Sequence, residues 1–170
     1  MDNQQGRLFR LGWFVGGLES EGCFTLSKSC RNKRGYRYTP LVDIVNSEDR
    51  FIAFCSSVLK EYEIPHYIYK RRNTCGKILS KKGIVSIMVR GYQRVKKLLT
   101  LIEPYVQVKK EQANLLHQFI DYRLSVPMKQ PYGEYEDSVH LKMKELNRTL
   151  RDYTPNTEIG DDIVRSHMKV

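Results

Sequence analysis

No stretch of this 170-residue chain is apolar for long enough to span a bilayer, and the opening segment, Met1 to Arg7, is short and polar. With no apolar run behind a basic start, no secretory signal and an intracellular protein are expected. Cysteine is sparse as well. Cys23, Cys30, Cys55 and Cys75 lie far apart with no Cys-x-x-Cys pair, and no His pair has zinc-ligand spacing, which points to buried or spectator thiols rather than a zinc site. Acids are outnumbered, 19 Asp and Glu against 29 Lys and Arg, for a net charge of +10 and a pI near 9.5. Such a balance favours a polyanionic partner, because every phosphate neutralised by Lys or Arg releases condensed counterions. An anionic membrane surface is the rival, but no segment joins a basic helix face to an apolar face carrying Trp, Phe and Leu anchors. Nucleic acid is therefore the leading partner. At 41% hydrophobic residues the chain can bury one proper core, as a single domain.

The most informative stretch is Gly12 to Phe24, an apolar helical stripe running into two carboxylates, Glu19 and Glu21, bracketed by Gly17 and Gly22. A carboxylate at a helix C-terminus faces the negative end of the helix dipole at a cost of roughly 0.3 to 1 kcal/mol, so a cation should offset it, and a divalent metal is the candidate. Leu8, Leu11, Phe14 or Val15, and Leu18 recur at helical spacing, which predicts a buried helix over residues 7 to 18 ending at Gly16-Gly17. Gly12 and Gly16 share one face, open either to close approach by another helix, such as the same helix of a second subunit, or to ordinary core packing.

Residues 22 to 31 alternate, with Cys23, Thr25, Ser27, Ser29 and Arg31 opposite Phe24 and Leu26, a half-buried strand. A basic turn over Arg31 to Tyr36 leads into a returning strand from Arg37 to Asn46. Asn46 or Ser47 is the expected N-cap of a helix over residues 48 to 62. A second hairpin follows from Ile64 to Arg90, with Tyr67 to Tyr69 and Ile84 to Val89 as its strands. Helices are expected between Gly91 and Pro104, from Lys109 to Arg123, and, after Pro127 and Pro131, from Glu134 to Arg151, with residues 153 to 170 loosely structured. This order makes an α+β protein, a four-stranded antiparallel sheet with helices on one face. Lys and Arg are dense over residues 25 to 37 and 67 to 82, so the open face is either a ribbon surface that fits a DNA groove or a solvated basic edge that discourages aggregation.

Phe14-Val-Gly-Gly-Leu-Glu-Ser-Glu-Gly22 resembles the nine-residue LAGLIDADG signature of homing endonucleases and related RNA maturases. Trp13, Cys23 and Phe24 suit the flanks of that signature, and Val106 to Leu116 is similar to the segment that opens the helix after the second hairpin in single-motif members. The resemblance implies an αββαββα core over residues 1 to 124, with a four-stranded antiparallel DNA-binding saddle, and a C-terminal helical extension, residues 125 to 170, of the same domain. Gly133-Glu-Tyr-Glu136 follows Pro131 rather than an apolar helix and is no second motif. One motif implies a homodimer, with Gly12, Val15, Gly16 and Glu19 at the subunit interface and a long pseudo-palindromic double-stranded DNA site.

By the same resemblance, Glu21 and the Ser20 main-chain carbonyl hold a divalent metal, Mg²⁺ with Mn²⁺ able to substitute and Ca²⁺ binding without supporting cleavage. Glu stands at both acid positions where Asp is usual at the first, so Glu19 is assigned to the helix end and its neighbours. Asn46 is either an orienter of water or a helix cap; Arg50 and Lys109 either stabilise the reacting phosphate or make generic phosphate contacts. Bases would be read by Thr25, Ser27, Ser29, Arg31, Arg37, Thr39, Asp43, Tyr69 and Arg71, while Lys33, Arg34, Lys81 and Lys82 would hold backbone phosphates. The expectation is an intron-encoded DNA endonuclease, present wherever the host DNA lies; the alternative is an intron RNA maturase or a catalytically silent DNA-binding protein.

Overall fold

The computed structural model describes residues 3–30, 36–71, 83–127 and 129–152. Its elements are α1 (Asn3–Glu21), β1 (Gly22–Cys30), β2 (Tyr36–Asn46), α2 (Asp49–Glu61), β3 (Tyr67–Arg71), β4 (Ile84–Arg90), α3 (Tyr92–Ile102), α4 (Lys110–Ser125) and α5 (Glu134–Asp152). The strands form one antiparallel sheet in the order β1-β2-β4-β3, so the two hairpins join through β2 and β4. The α+β expectation holds, with a four-stranded antiparallel sheet and five described helices.

Strand alternation decides which face is covered. Phe24 and Leu26 on β1, Tyr38, Val42 and Ile44 on β2, and Ile87 and Val89 on β4 are all buried against the helices. Each helix contributes residues at three- and four-residue spacing: Leu11, Phe14, Val15 and Leu18 from α1, Ile52, Cys55, Val58 and Leu59 from α2, and Leu116, Phe119 and Ile120 from α4. Full burial of side chains such as these stabilises the fold by about 1.5 to 3 kcal/mol each. Burial also pushes the Cys55 thiol up to about 12, which makes it an inert part of this core.

Helix α1 runs four residues past its expected stop at Gly16-Gly17. Gly17 is a glycine within the helix because Phe51 of α2 occupies the space a side chain would need: a Cβ there would lie 2.7 Å from the phenyl ring. Leu8, counted in the apolar stripe, is exposed. The α2 start also differs from expectation. Asn46 Oδ1 accepts the Glu48 N–H at 2.8 Å, and Glu48 itself is the N-cap, its side chain accepting from Arg50 N–H. That helix ends with Glu63 in the left-handed region at φ 53°, where Ile64 N–H reaches Leu59 O and Glu63 N–H reaches Lys60 O.

Pro40 sits inside the sheet without breaking it. It lies opposite Leu26 of β1, beyond the Leu41–Arg90 end of the β2–β4 pairing, and its carbonyl accepts the Gly91 N–H at 3.0 Å. Helix α5 packs along the outer edge of β1. Asn147 Nδ2 donates to Phe24 O at 2.9 Å, His140 Nδ1 bonds Leu26 O at 2.7 Å, and Asp137 accepts from Lys28 and Tyr38. These side chains cover the edge of β1 and place Val139 and Met143 in the core cluster. The expected basic hairpin tips and the tail from 153 to 170 lie outside the described residues.

Candidate active site and nucleic-acid interface

The last turn of α1 enters β1 with no intervening loop. Only glycine allows this at position 22, since a Cβ there would lie 2.4 Å from Leu18 O. The abrupt turn leaves Ser20 and Glu21 exposed at the helix end. Glu19 turns the other way. Its Oε1 accepts backbone N–H groups from Gln107 at 2.7 Å, Val108 at 2.6 Å and Lys109 at 3.2 Å, just ahead of α4. Glu19, expected at a subunit interface, is thus engaged within its own chain, where the positive end of α4 offsets its charge.

Lys109 closes the same junction from the opposite side. Its ammonium donates to Gly22 O at 2.5 Å and Leu18 O at 3.4 Å, neutralising the carbonyl end of α1. Burial holds the Lys109 amine below the usual lysine range, while Cys23, Glu19 and Glu21 pull in the other direction. A cleft of about 320 Å³ opens here, lined by Glu19, Ser20, Cys23, Lys109, Asn147 and Leu150 among others.

Among the described residues no three His, Cys, Asp or Glu side chains gather into a metal group. What the α1 end offers is all oxygen, the exposed Glu21 carboxylate and main-chain carbonyls such as that of Ser20. That chemistry suits a hard cation such as Mg²⁺, which takes one or two carboxylates and fills its remaining positions with water and phosphate oxygens.

The uncovered sheet face carries the expected polar set. Register pairs Ser29 with Arg37, Ser27 with Thr39, Thr25 with Leu41 and Cys23 with Asp43, and across the sheet Asp43 with Met88 and Tyr69 with Ser86. All point away from the core. Ser29, Arg37 and Tyr69 are exposed, whereas Thr39 and Asp43 lie at the floor of the face with 5% and 8% exposure. Arg71 holds the same register on β3; its side chain, with Arg31, Lys33, Arg34, Lys81 and Lys82, lies outside the described residues. Two further exposed residues on this face are not among the expected base readers. Arg90 pairs with Leu41, and Tyr67 pairs with Met88 and accepts a hydrogen bond from Arg94 at 2.9 Å. The alternation of β4, with Ser86, Met88 and Arg90 opposite Ile87 and Val89, was the available signal for Arg90.

Arg50 is exposed in the first turn of α2, and Asn46 is partly buried at the end of β2. On the outer side of α1, Gly12 and Gly16 are exposed with nothing within 4 Å of a built Cβ, and Phe9 and Trp13 beside them are 73% and 57% exposed. Val15 does not share this face. At 3% exposure it is a core residue, because it falls on the Leu11 and Leu18 side of the helix.

No protein-family model matches the chain, and no curated protein matches it. Solved structures do. The homing endonuclease I-CvuI in complex with its target aligns at a TM-score of 0.61 over 89% of this chain and 88% of that one, at 19% identity. I-TnaI, another homing endonuclease, aligns at 0.57 over 92% and 96%, also at 19% identity. The LAGLIDADG homing endonuclease I-GzeII in complex with its DNA target aligns at 0.56 over 89% of this chain but 48% of that one, at 16% identity. The chain has the LAGLIDADG homing-endonuclease fold. No helix among the described residues is long and apolar enough to cross a membrane.

Proposed function

We propose that this protein is a site-specific, divalent-metal-dependent DNA endonuclease, encoded by an intron, that hydrolyses both strands of a long pseudo-palindromic site as a homodimer. One observation carries the reading: α1 ends in an exposed carboxylate, Glu21, beside the half-buried ammonium of Lys109, on a chain whose uncovered sheet face is polar and basic. Glu19, two residues earlier, is by contrast engaged by backbone amides.

Glu21 and the Ser20 carbonyl would hold Mg²⁺, which supplies neutralisation of charge at the scissile phosphate. Lys109, already desolvated, presents fixed positive charge to phosphate oxygens, and Arg50 adds a second, exposed cation. Asn46 has Oδ1 committed to Glu48 N–H, which leaves its amide N–H₂ to orient water. Ser29, Arg37, Tyr69, Thr25 and Ser27 would face base edges. Gly12 and Gly16 give a smooth stripe, flanked by exposed Phe9 and Trp13, on which a second α1 can pack about a two-fold axis. The spans of 88% of I-CvuI and 48% of I-GzeII support a unit that acts in pairs.

A plasmid carrying the uninterrupted insertion site, incubated with the protein and Mg²⁺, should be linearised, and Glu21→Gln should bind it without cutting. Tight site-specific binding by the wild-type protein that leaves the plasmid intact would remove the nuclease reading and leave a binding protein of the same fold.

A further inference from the structure

Glu19 and Lys109 are linked twice across the α1–α4 junction, and the two links run in opposite directions. The Glu19 carboxylate grips the backbone of 107–109, and the Lys109 side chain returns to the carbonyls of Leu18 and Gly22, on either side of Glu19. Helix α4 has no capping side chain of its own: its N-cap is Lys109, which has no oxygen to offer the free N–H groups. Glu19 instead accepts the three amides at and just ahead of that N-cap, from a point 88 to 90 residues earlier in the chain.

From this geometry we infer that Glu19 is a positioning residue, whose grip on the 107–109 backbone fixes the Lys109 ammonium at the end of the motif helix. The inference rests on the nuclease reading for its catalytic consequence, though not for the linkage itself. A lysine has four side-chain torsions, and an ammonium placed by side-chain contacts alone would sample many positions; fixing its backbone against the same helix turn that carries its acceptors removes most of that freedom. Reach is decisive. Asp at position 19 is one methylene shorter than Glu and would leave the three amides short of an acceptor, whereas Gln keeps both the length and an accepting Oε1.

The test uses full-length protein carrying Glu19→Gln, Glu19→Asp or Glu19→Ala, each in the wild-type and Lys109→Met backgrounds. Without DNA, hydrogen exchange at 107–109 and acetylation of the Lys109 amine are followed by mass spectrometry. With DNA, single-turnover cleavage is measured on the duplex that the wild-type protein selects from a randomised pool, and affinity is measured in Ca²⁺. Glu19→Ala and Glu19→Asp should lose amide protection, expose Lys109 to acetylation, and slow cleavage about 100-fold with affinity nearly unchanged. Glu19→Gln should retain protection and stay within about tenfold of wild type, since the acceptor survives. In the Lys109→Met background, Glu19→Ala should cost nothing further, as expected when one residue acts through another.

Unchanged exchange and acetylation in Glu19→Ala, or losses that multiply in the double variant, would overturn the inference. If the wild-type protein binds its selected duplex but does not cut it, the nuclease reading fails, and the exchange and acetylation results still decide whether Glu19 positions Lys109. Glu19→Gln, close to isosteric, keeps the test open should Glu19→Ala fail to fold.

Discussion

The end of α1 and the start of α5 both set carboxylates against cations, and they treat them in opposite ways. At the start of α5 two neighbouring acids, Glu136 and Asp137, are consumed. Glu136 is buried, with one oxygen accepting from Arg123 at 2.9 Å and the other from Gly133 N–H at 2.7 Å, while Arg123 also donates to Gln130 O and lies over the Tyr132 ring. Asp137 is shared between Lys28 and Tyr38. At the end of α1, Glu19 is consumed in the same manner, but Glu21, two residues on, is left open to solvent. Charges that a fold satisfies internally hold it together; one that it leaves exposed beside a desolvated lysine is available to a ligand. Mutations at the two ends should therefore separate activity from stability.

Glu21→Gln should produce the largest effect, a loss of cleavage of about 10³-fold with no shift in melting temperature, measured by single-turnover cleavage and thermal unfolding. At the other end, Arg123→Met should leave Glu136 buried without its partner and lower stability by about 3 to 5 kcal/mol in urea unfolding, and adding Glu136→Gln should recover part of that loss. A large stability loss in the first variant, or none in the second, would erase the contrast between the two regions.

A pair of adjacent glycines sharpens the distinction between inward and outward faces of α1. Gly17→Ala forces a methyl against the Phe51 ring, which is itself packed near Trp13, and should cost about 1 to 3 kcal/mol. Gly16→Ala meets nothing within the protomer; it should alter protomer stability by less than about 0.5 kcal/mol while weakening self-association measured by sedimentation.

The smallest effect concerns pH. Hydrogen bonds from Lys28 and then Tyr38 hold the Asp137 carboxyl below its ordinary range. Folded protein then binds fewer protons at Asp137 than unfolded protein does, so its contribution is fully present above the unfolded value of roughly 4 and fades as pH falls through the lower, folded value. The melting-temperature gap between wild type and Asp137→Asn should be constant from pH 7 to about 5 and narrow below about 4.

These contrasts also mark what a single sequence makes legible. Strand alternation gave the covered and open faces of the sheet correctly, because burial of one face is a local, period-two signal, and the motif located the exposed acid. The glycines of α1 misled in one respect: Gly16-Gly17 looks like a helix stop, yet Gly17 is small to admit Phe51, 34 residues away in sequence. Val15 illustrates a related limit, since helical spacing alone does not decide between it and Phe14, and the structure buries both. Asn46, expected as a helix cap or an orienter of water, accepts the Glu48 N–H, and the cap falls two residues on at Glu48. Hardest to foresee was the docking of α5, whose contacts with β1 join residues 109 to 123 positions apart and leave no periodic trace.

A crystal of the protein with its selected duplex, grown with Mn²⁺, tests the account most directly. It predicts two protomers on one duplex and anomalous density within coordination distance of a Glu21 carboxylate oxygen of each protomer, beside the scissile phosphates. Manganese bound elsewhere, with Glu21 still free in solvent, or a single protomer seated on the duplex, would contradict it.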